Sequence, residues 1–473
     1  MTQLKRLKQL STLLGGAALA AVATLTITTP ATAQTKDPAR IATAVDSLVT
    51  AALQDGRTAG LSVAVSLGGR PVITKGYGYA DLEWKVPTAE RTVYQVGSVT
   101  KQFTAAAIMQ LVEQKKIDLD ADVTTYLPDY NTQGRRIPVR RLLDHTSGLK
   151  DYLQMPVFHD QIGMKPLPRD TLVKLFSKEP FDFEPGEMEK YTNSGYFLLG
   201  LIIEKVSGRS YQEYVREYLF ERAGMKDSRY CSETAVVPNM AHGYEMSEHG
   251  LRHSVRVDHT WPYAGGSLCA TVADLDAWNQ ALHGGKVLSP AAYKAMITPG
   301  TLNDGSPLQY AKGIAVSDIG GHRALHHGGI LPGFFTYVEY FPEDSLSIAV
   351  AINSQGPVQP DVMARTIAEI AHGAPVAKAA PSQTKTADYV GEYRGKGGYG
   401  EDLVLKVAAD PAGRLTIEGP LAGPPGPPRQ LAYARGETFQ LDDKQLTFVR
   451  QRGLVTKLRV DAVYVQMVLK RAE

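Results

Sequence analysis

Alternating apolar and polar positions cluster towards the two ends of the region before residue 373, and helix-forming stretches fill its middle. The pattern predicts a helix over 38–54, then a β-hairpin built from Leu61–Ser66 and Val72–Tyr79. Strands are expected again at 313–318, 323–327, 336–341 and 347–353, followed by a closing helix over 360–372. Strands at both ends with helices between them imply one antiparallel sheet assembled from the two ends. Residues 373–386 turn to Ala, Pro, Lys, Ser and Thr and read as a linker. Beyond them, short β-prone runs from Tyr389–Tyr393 to Tyr464–Lys470 recur with turn residues between, as in a small antiparallel barrel or sandwich. Gly419–Pro428 reads as a rigid loop. The expected fold class is α/β in the α+β sense: a sheet with flanking helices, a helical subdomain and a small all-β tail.

One predicted helix carries candidate chemistry at its start. Ser98-Val99-Thr100-Lys101 follows the β-prone Val93–Gly97 and precedes a stretch rich in helix formers, whose Phe103, Ala107, Met109 and Leu111 can be buried. A serine hydroxyl needs a neighbouring base to become a nucleophile. A lysine three residues on lies on the same helical face, and burial can lower its pKa enough for that task. Ser147-Gly-Leu-Lys150 and Ser382-Gln-Thr-Lys385 share the spacing, but the first lies in a turn with no helix after it and the second in the linker.

Two further elements follow in order. Among 23 tyrosines, Tyr191 alone is followed by Asn two positions on, and Ser194–Ser207 then reads as a helix stopped by Gly208. A phenol at Tyr191 beside Lys101 offers a second proton acceptor, and Asn193 a group to hold Lys101 and a substrate amide. His327-Gly328-Gly329 ends the β-prone run His322–His326, and the segment from Ile330 through Gly333 is expected to turn and leave as another strand; two glycines on an edge strand let a substrate backbone lie close. The N–H of Ile330 pairs in this reading with that of Ser98 as an oxyanion hole. His283-Gly284-Gly285 repeats the tripeptide but follows a helical stretch and reads as a helix end.

These elements, with Tyr94–Thr104, Leu142–Leu149 and Ala264–Leu275, resemble the serine β-lactamase and penicillin-binding-protein superfamily over roughly residues 38–372. The branch it looks most like holds class C β-lactamases, D-alanyl-D-alanine carboxypeptidases, D-aminopeptidases and esterases. The resemblance implies a nucleophile at Ser98, a general base from Lys101 and Tyr191, and substrate or oxyanion contacts at Asn193, His327, Gly328, Gly329 and Ile330. It implies a serine hydrolase domain at 34–372 and a lipocalin-like barrel at 387–473, which the composition sets off with a signal peptide at 1–33 and a linker at 373–386. One departure bears on substrate: class C enzymes carry Lys-Thr-Gly where this chain has His-Gly-Gly. A lysine is a permanent cation for a β-lactam carboxylate, whereas a histidine near neutral pH is charged only part of the time.

Composition narrows the setting. Lys5, Arg6 and Lys8, the apolar stretch Leu10–Thr29 and Ala31-Thr-Ala33 form a cleavable secretory signal, cut after Ala33, for a periplasmic or secreted protein. The net charge of +2 falls to about neutral without those three basic residues, which gives no electrostatic case for nucleic acid. No later run suffices to span a bilayer. Cys231 and Cys269 are compatible with a disulfide in that compartment or with two buried thiols. No cofactor or metal is expected: His322-x-x-x-His326 falls in a strand, and the Asp118/Asp120/Asp122 run has Val123 where a calcium loop needs Gly. The expected function is hydrolysis through an acyl-Ser98 intermediate, on D-amino-acid-containing peptides or small esters. A class C-type β-lactamase and a non-hydrolytic penicillin-binding or sensor protein are the alternatives.

Overall fold

The structure, a computed structural model, describes residues 36–155, 165–373, 386–397, 402–420, 427–441, 444–451, 453–462 and 465–472. The expected signal peptide, most of the linker and the centre of the 419–428 loop lie outside the described residues.

A seven-stranded antiparallel sheet runs in the order Val86–Pro87, Arg70–Asp81, Gly60–Leu67, Leu346–Ile352, Phe334–Phe341, His322–Leu331, Ala315–Ile319. Its centre joins the two ends of the region, with Leu61 opposite Ile352 and Ser66 opposite Ser347. Side-chain alternation divides this strand pair between two cores. Leu61, Val63, Val65, Ile348, Val350 and Ile352 pack under the helices Pro38–Ala52 and Pro360–His372. Ala64, Ala349 and Ala351 face the helical subdomain instead, where small side chains let the helices approach.

The centre of that subdomain is the helix Thr100–Glu113, buried from Thr100 through Leu111 on every face. The sequence pattern shows only one apolar stripe there. The polar positions are buried because tertiary partners satisfy them: Thr104 Oγ1 donates to the Ala264 carbonyl at 2.6 Å, and Gln102 accepts from Trp278 Nε1 at 2.9 Å. Trp278 also stacks on Phe103, with centroids 3.9 Å apart. Helices Asn193–Ser207, Val272–His283 and Pro290–Met296 pack around this rod.

Cys231 and Cys269 form a disulfide, Cα atoms 5.3 Å apart, that fastens the strand Leu268–Ala270 to the chain leaving Arg229–Tyr230. Spacing left this open because the pairing depends on three short strands from distant segments: Tyr94–Gln95, Leu268–Ala270 and Arg229–Tyr230.

The tail forms a nine-stranded sheet whose end strands are Arg429–Gln430 and Ala432–Arg435. Only Leu431 separates them in the chain, so the sheet closes nearly into a barrel around Tyr393, Leu405, Ile417, Phe448 and Leu458. The β-prone stretch around Leu431 is split between the two strands for this reason: the chain crosses there from one end of the sheet to the other. The barrel touches the segment before Tyr310, where Gln309 Nε2 donates to Gln445 Oε1 and Arg459 Nη1 to the Pro307 carbonyl, both at 2.8 Å.

Gly200 sits mid-helix in Asn193–Ser207, and an added Cβ would lie 2.5 Å from the Ala264 Cβ and against the Tyr263 ring. Helix propensity favours Ala by about 1 kcal/mol, but overpacking costs about 1–3 kcal/mol. Gly200→Ala is expected to lower stability by up to about 2 kcal/mol. Thermal denaturation decides it; a raised Tm would mean that Tyr263 yields.

Candidate active site

Gly97–Val99 form a single 3₁₀ turn that runs directly into the helix Thr100–Glu113. Gly97 has φ +51°, and a Cβ there would lie 2.7 Å from the Ile330 nitrogen. The turn is therefore open only to glycine, and it presses the Ser98 backbone against the strand His322–Leu331. On that strand a Cβ at Gly329 would collide with the Val96 carbonyl and stand 3.1 Å from the Ser98 nitrogen. His327, Gly328 and Gly329 lie within the strand, which continues to Leu331 and reverses at Gly333. The strand runs past the expected 323–327 because Gly328 and Gly329 stay paired with Tyr337 and Thr336, and the turn comes after Ile330 as expected.

Tyr191 and Asn193 arrive by helix capping. Thr192 is the N-cap of Asn193–Ser207, with φ −144° and ψ 134°, and its side chain accepts from the Ser194 N–H at 3.1 Å. Tyr191 precedes the cap and Asn193 opens the helix, so both project at its N-terminal end. The Thr192 N–H donates to His145 Nδ1 at 3.2 Å.

Lys101 joins these segments. It is completely buried, and its Nζ lies 3.2 Å from Ser98 Oγ, 2.8 Å from Asn193 Oδ1 and 2.8 Å from the Gly265 carbonyl. It also lies 4.7 Å from the centroid of the Tyr191 ring. Burial pulls its pKa down to about 7, against the opposing pull of the Asp151 carboxylate. Protonated, the ammonium donates to all three oxygens. Deprotonated, it keeps two N–H bonds and gains a lone pair. Asn193 Oδ1 and the Gly265 carbonyl can only accept, so the lone pair falls to the Ser98 hydroxyl, the one partner with a proton to give. The arrangement aims the amine at Ser98 when it becomes basic.

The two imidazoles beside it are neutral by burial. His327 is fully buried, with Nδ1 2.6 Å from the Gly328 carbonyl and Nε2 2.8 Å from the Tyr310 hydroxyl. The carbonyl can only accept, so Nδ1 carries the proton and Nε2 accepts from Tyr310. Burial, with the Lys101 charge second, pushes His327 down to about 3. The expected part-time cation is thus a neutral imidazole at every working pH. His145 is buried and likewise held well below the usual imidazole range by burial, then by Lys101. Its ring packs against Tyr191, Tyr310 and Tyr196, with centroids 4.1, 4.6 and 5.1 Å away.

Ser98, Lys101, Tyr191, Asn193, His327, Gly328, Gly329 and Ile330 therefore meet in one place. The other Ser-x-x-Lys motifs do not: Ser147 is buried and Lys150 pairs with Asp182 at 3.1 Å, while Ser382 lies outside the described residues. His283 ends the helix Val272–His283, with Gly284 as its cap. Sequence reading missed Gly265, Asp151, Tyr310 and the part played by His145. His145 lies in the Leu142–Leu149 stretch already singled out, but its φ of +60° and its packing belong to the fold; the others act through a backbone carbonyl or a long-range contact.

A profile of the beta-lactamase family matches residues 45–372. Among curated proteins, a D-aminopeptidase of Gluconobacter oxydans is 28% identical over 336 residues, 70% of this chain and 62% of that protein. The chain spans a little under two thirds of the length of the curated relatives it matches. Among solved structures, the octameric penicillin-binding protein homologue from Pyrococcus abyssi is 25% identical, at TM-score 0.62, over 90% of this chain and 99% of that one. D-amino acid amidase from Ochrobactrum anthropi SV3, complexed with D-phenylalanine, is 25% identical at TM-score 0.61, over 70% of this chain and 98% of that one.

If Lys101 must be neutral to activate Ser98, phosphonylation of Ser98 rises as pH increases through about 7 and then levels off. Asp151→Asn removes the anion that holds the Lys101 pKa up, so the acid limb moves to lower pH. A pH series of labelling rates, read by intact mass, checks both. An acid limb that moves upward in the variant would contradict the assignment.

Proposed function

The chain belongs to the beta-lactamase family, and from that premise we propose that it is a secreted serine hydrolase working through an acyl-Ser98 intermediate on D-amino-acid-containing peptides or amides and small esters. The observation that carries this reading is the buried Lys101, whose three oxygen partners leave its lone pair to Ser98.

In the proposed acylation Lys101, acting as a unit with Tyr191, takes the Ser98 hydroxyl proton while Oγ bonds to the substrate carbonyl carbon. The carbonyl oxygen becomes an oxyanion and accepts from the N–H groups of Ser98 and Ile330, which the Gly97 turn brings to one place. The bond to the leaving group then breaks, and that group departs with the proton held by Lys101 and Tyr191. Water, deprotonated by the same pair, attacks the acyl carbon and regenerates Ser98. Asn193 holds Lys101 with its oxygen and the Asp151 carboxylate with its amide, at 3.2 Å.

Substrate choice rests on the third element. A neutral, buried His327 offers no fixed charge for the carboxylate of a β-lactam. A charge-assisted hydrogen bond is worth about 1.5–3 kcal/mol. Its loss weakens kcat/KM for carboxylate-bearing substrates by roughly ten- to a hundredfold. The similarity to a D-aminopeptidase and a D-amino acid amidase favours D-configured substrates among the neutral ones. Export is supported by the basic and apolar leader at 1–33 and by the Cys231–Cys269 bridge, which suits an oxidising compartment. No helix of the described residues is long and apolar enough to cross a membrane. The strands after residue 386 enclose their own core and are proposed as a separate, non-catalytic domain joined by the 373–386 linker.

Ser98→Ala is expected to reduce turnover of every ester, D-amino-acid amide and β-lactam in a panel to background. Tyr191→Phe should cost about 10²–10⁴ in rate, the range for general acid–base catalysis. The wild-type chain should turn over neutral esters or D-amino-acid amides faster than any cephalosporin. A cephalosporin at the head of the panel would restore the class C reading, and a labelled but non-turning-over Ser98 the sensor reading.

A further inference from the structure

Two carboxylates and two imidazoles from separate segments meet at the surface, apart from the Ser98 site. Asp81 ends the strand Arg70–Asp81 and Glu83 lies in the turn after it. His242 stands just before Tyr244–Ser247, and His253 ends the paired strand Gly250–His253. Donor atoms of Asp81, Glu83 and His242 all lie within 4.8 Å of one another. His242 Nδ1 is 3.3 Å from Asp81 Oδ2, and His253 Nε2 is 2.7 Å from Glu83 Oε1. Among the described residues, no lysine or arginine is paired with either carboxylate.

We propose that Asp81, Glu83, His242 and His253 form a zinc site that staples the 81–83 turn to the hairpin 244–253. Two imidazole nitrogens and two carboxylate oxygens make a complete four-coordinate set for this borderline cation. Zinc bonds of about 2.0–2.2 Å at tetrahedral angles place donors about 3.3–3.6 Å apart. The Asp81, Glu83 and His242 donors must close by up to about 1.5 Å, and His253, which reaches Glu83 but stands outside that group of three, must swing its exposed ring inwards by a rotamer change.

The positions of the donors are independently fixed, as in sites with an outer shell of orienting bonds. Asp81 Oδ1 accepts from the Trp84 N–H at 2.7 Å, which turns Oδ2 towards His242. Glu83 Oε2 accepts from the Tyr244 hydroxyl at 2.6 Å, which turns Oε1 towards His253. The His242 backbone is held on both sides: its N–H donates to the Ala80 carbonyl at 2.8 Å, and its carbonyl accepts from Asn353 Nδ2 at 2.9 Å. The His253 ring stacks on Tyr244, with centroids 5.3 Å apart. Each carboxylate thus spends one oxygen on a neighbour of the cluster and presents the other to an imidazole.

The site has a route to the cleft. Gly243, next to His242, packs against Gly333 and Phe334 so closely that a Cβ at Gly243 would lie 2.7 Å from the Phe334 ring. A Cβ at Gly333 would lie 2.8 Å from the Ser254 Cβ, next to His253. Gly333 is the turn that follows Ile330 on the strand carrying His327–Gly329. Bound zinc would fasten the hairpin beside that turn and stiffen one edge of the candidate active site.

The test is equilibrium dialysis of the full-length, tag-free chain against Zn²⁺, with the wild type, His242→Ala/His253→Ala and Tyr244→Phe. The wild type is expected to hold one zinc per chain and to melt higher with zinc than with chelator. The double variant should lose that zinc and that Tm response. Tyr244→Phe should bind about 10–100-fold more weakly, the usual effect of losing an orienting bond. Cobalt substitution of the wild type supplies a readout independent of any variant, since a four-coordinate N/O site gives intense visible d–d absorption. Less than stoichiometric zinc in the wild type, or zinc and Tm responses unchanged in the double variant, would overturn the proposal and leave two ordinary ion pairs. Binding of magnesium or calcium in preference to zinc would overturn it as well.

Discussion

An ammonium buried without water is among the most expensive groups a protein can fold around, and the helical half of this molecule is arranged about one. Lys101 is tolerated in its place because three oxygens reach it from three segments: the turn before its own helix, the first residue of the helix Asn193–Ser207, and the carbonyl of Gly265. Each supplier is itself constrained. Asn193 is placed by the Thr192 cap. Gly265 sits in the short Tyr263–Gly266 helix, which packs against both Thr100–Glu113 and Asn193–Ser207. On the far side of Lys101, Gly313 adopts φ +71°, and a Cβ there would lie 2.5 Å from the Lys101 carbonyl.

The same burial that lowers the lysine pKa suppresses charge on its neighbours. His145 and His327 are both neutral, so the site holds one switchable cation surrounded by aromatic rings and dipoles. Tyr191 lies against the charge through its ring face, a favourable contact when the amine is protonated and an indifferent one when it is not. In the proposed mechanism activation and specificity then have a common physical origin: burial lowers the Lys101 pKa to about 7 and holds His327 neutral.

The sheet supplies the other half of the site. Because Gly60–Leu67 pairs with Leu346–Ile352, the strands that follow 313 are brought across the front of the helix carrying Ser98. Gly329 then permits a backbone-to-backbone approach to Val96 and Ser98 that a side chain would block. The barrel bears on this region too, through its hydrogen bonds to Gln309 and Pro307 immediately before Tyr310.

Much of this was legible in the residues themselves. The helices at 38–52 and 360–372, the 60–81 hairpin and the strands of the tail follow from periodicity and turn chemistry, which are local properties. That Ser98, Lys101, Tyr191 and Asn193 would come together was legible because a serine and a lysine one helical turn apart and a capped helix start leave short-range marks. What stayed hidden was contributed across the chain. The Cys231–Cys269 bridge depends on a three-stranded sheet whose middle strand, Leu268–Ala270, also pairs with the distant Tyr94–Gln95. The all-round burial of Thr100–Leu111 is possible only because distant carbonyls and side chains satisfy its polar positions. The neutrality of His327, and the lowered pKa of Lys101, belong to no motif. Sequence determines which groups are available and how neighbours along one element face; the free energy of a charge is set by the water excluded and the dipoles brought near, and only the folded chain decides those.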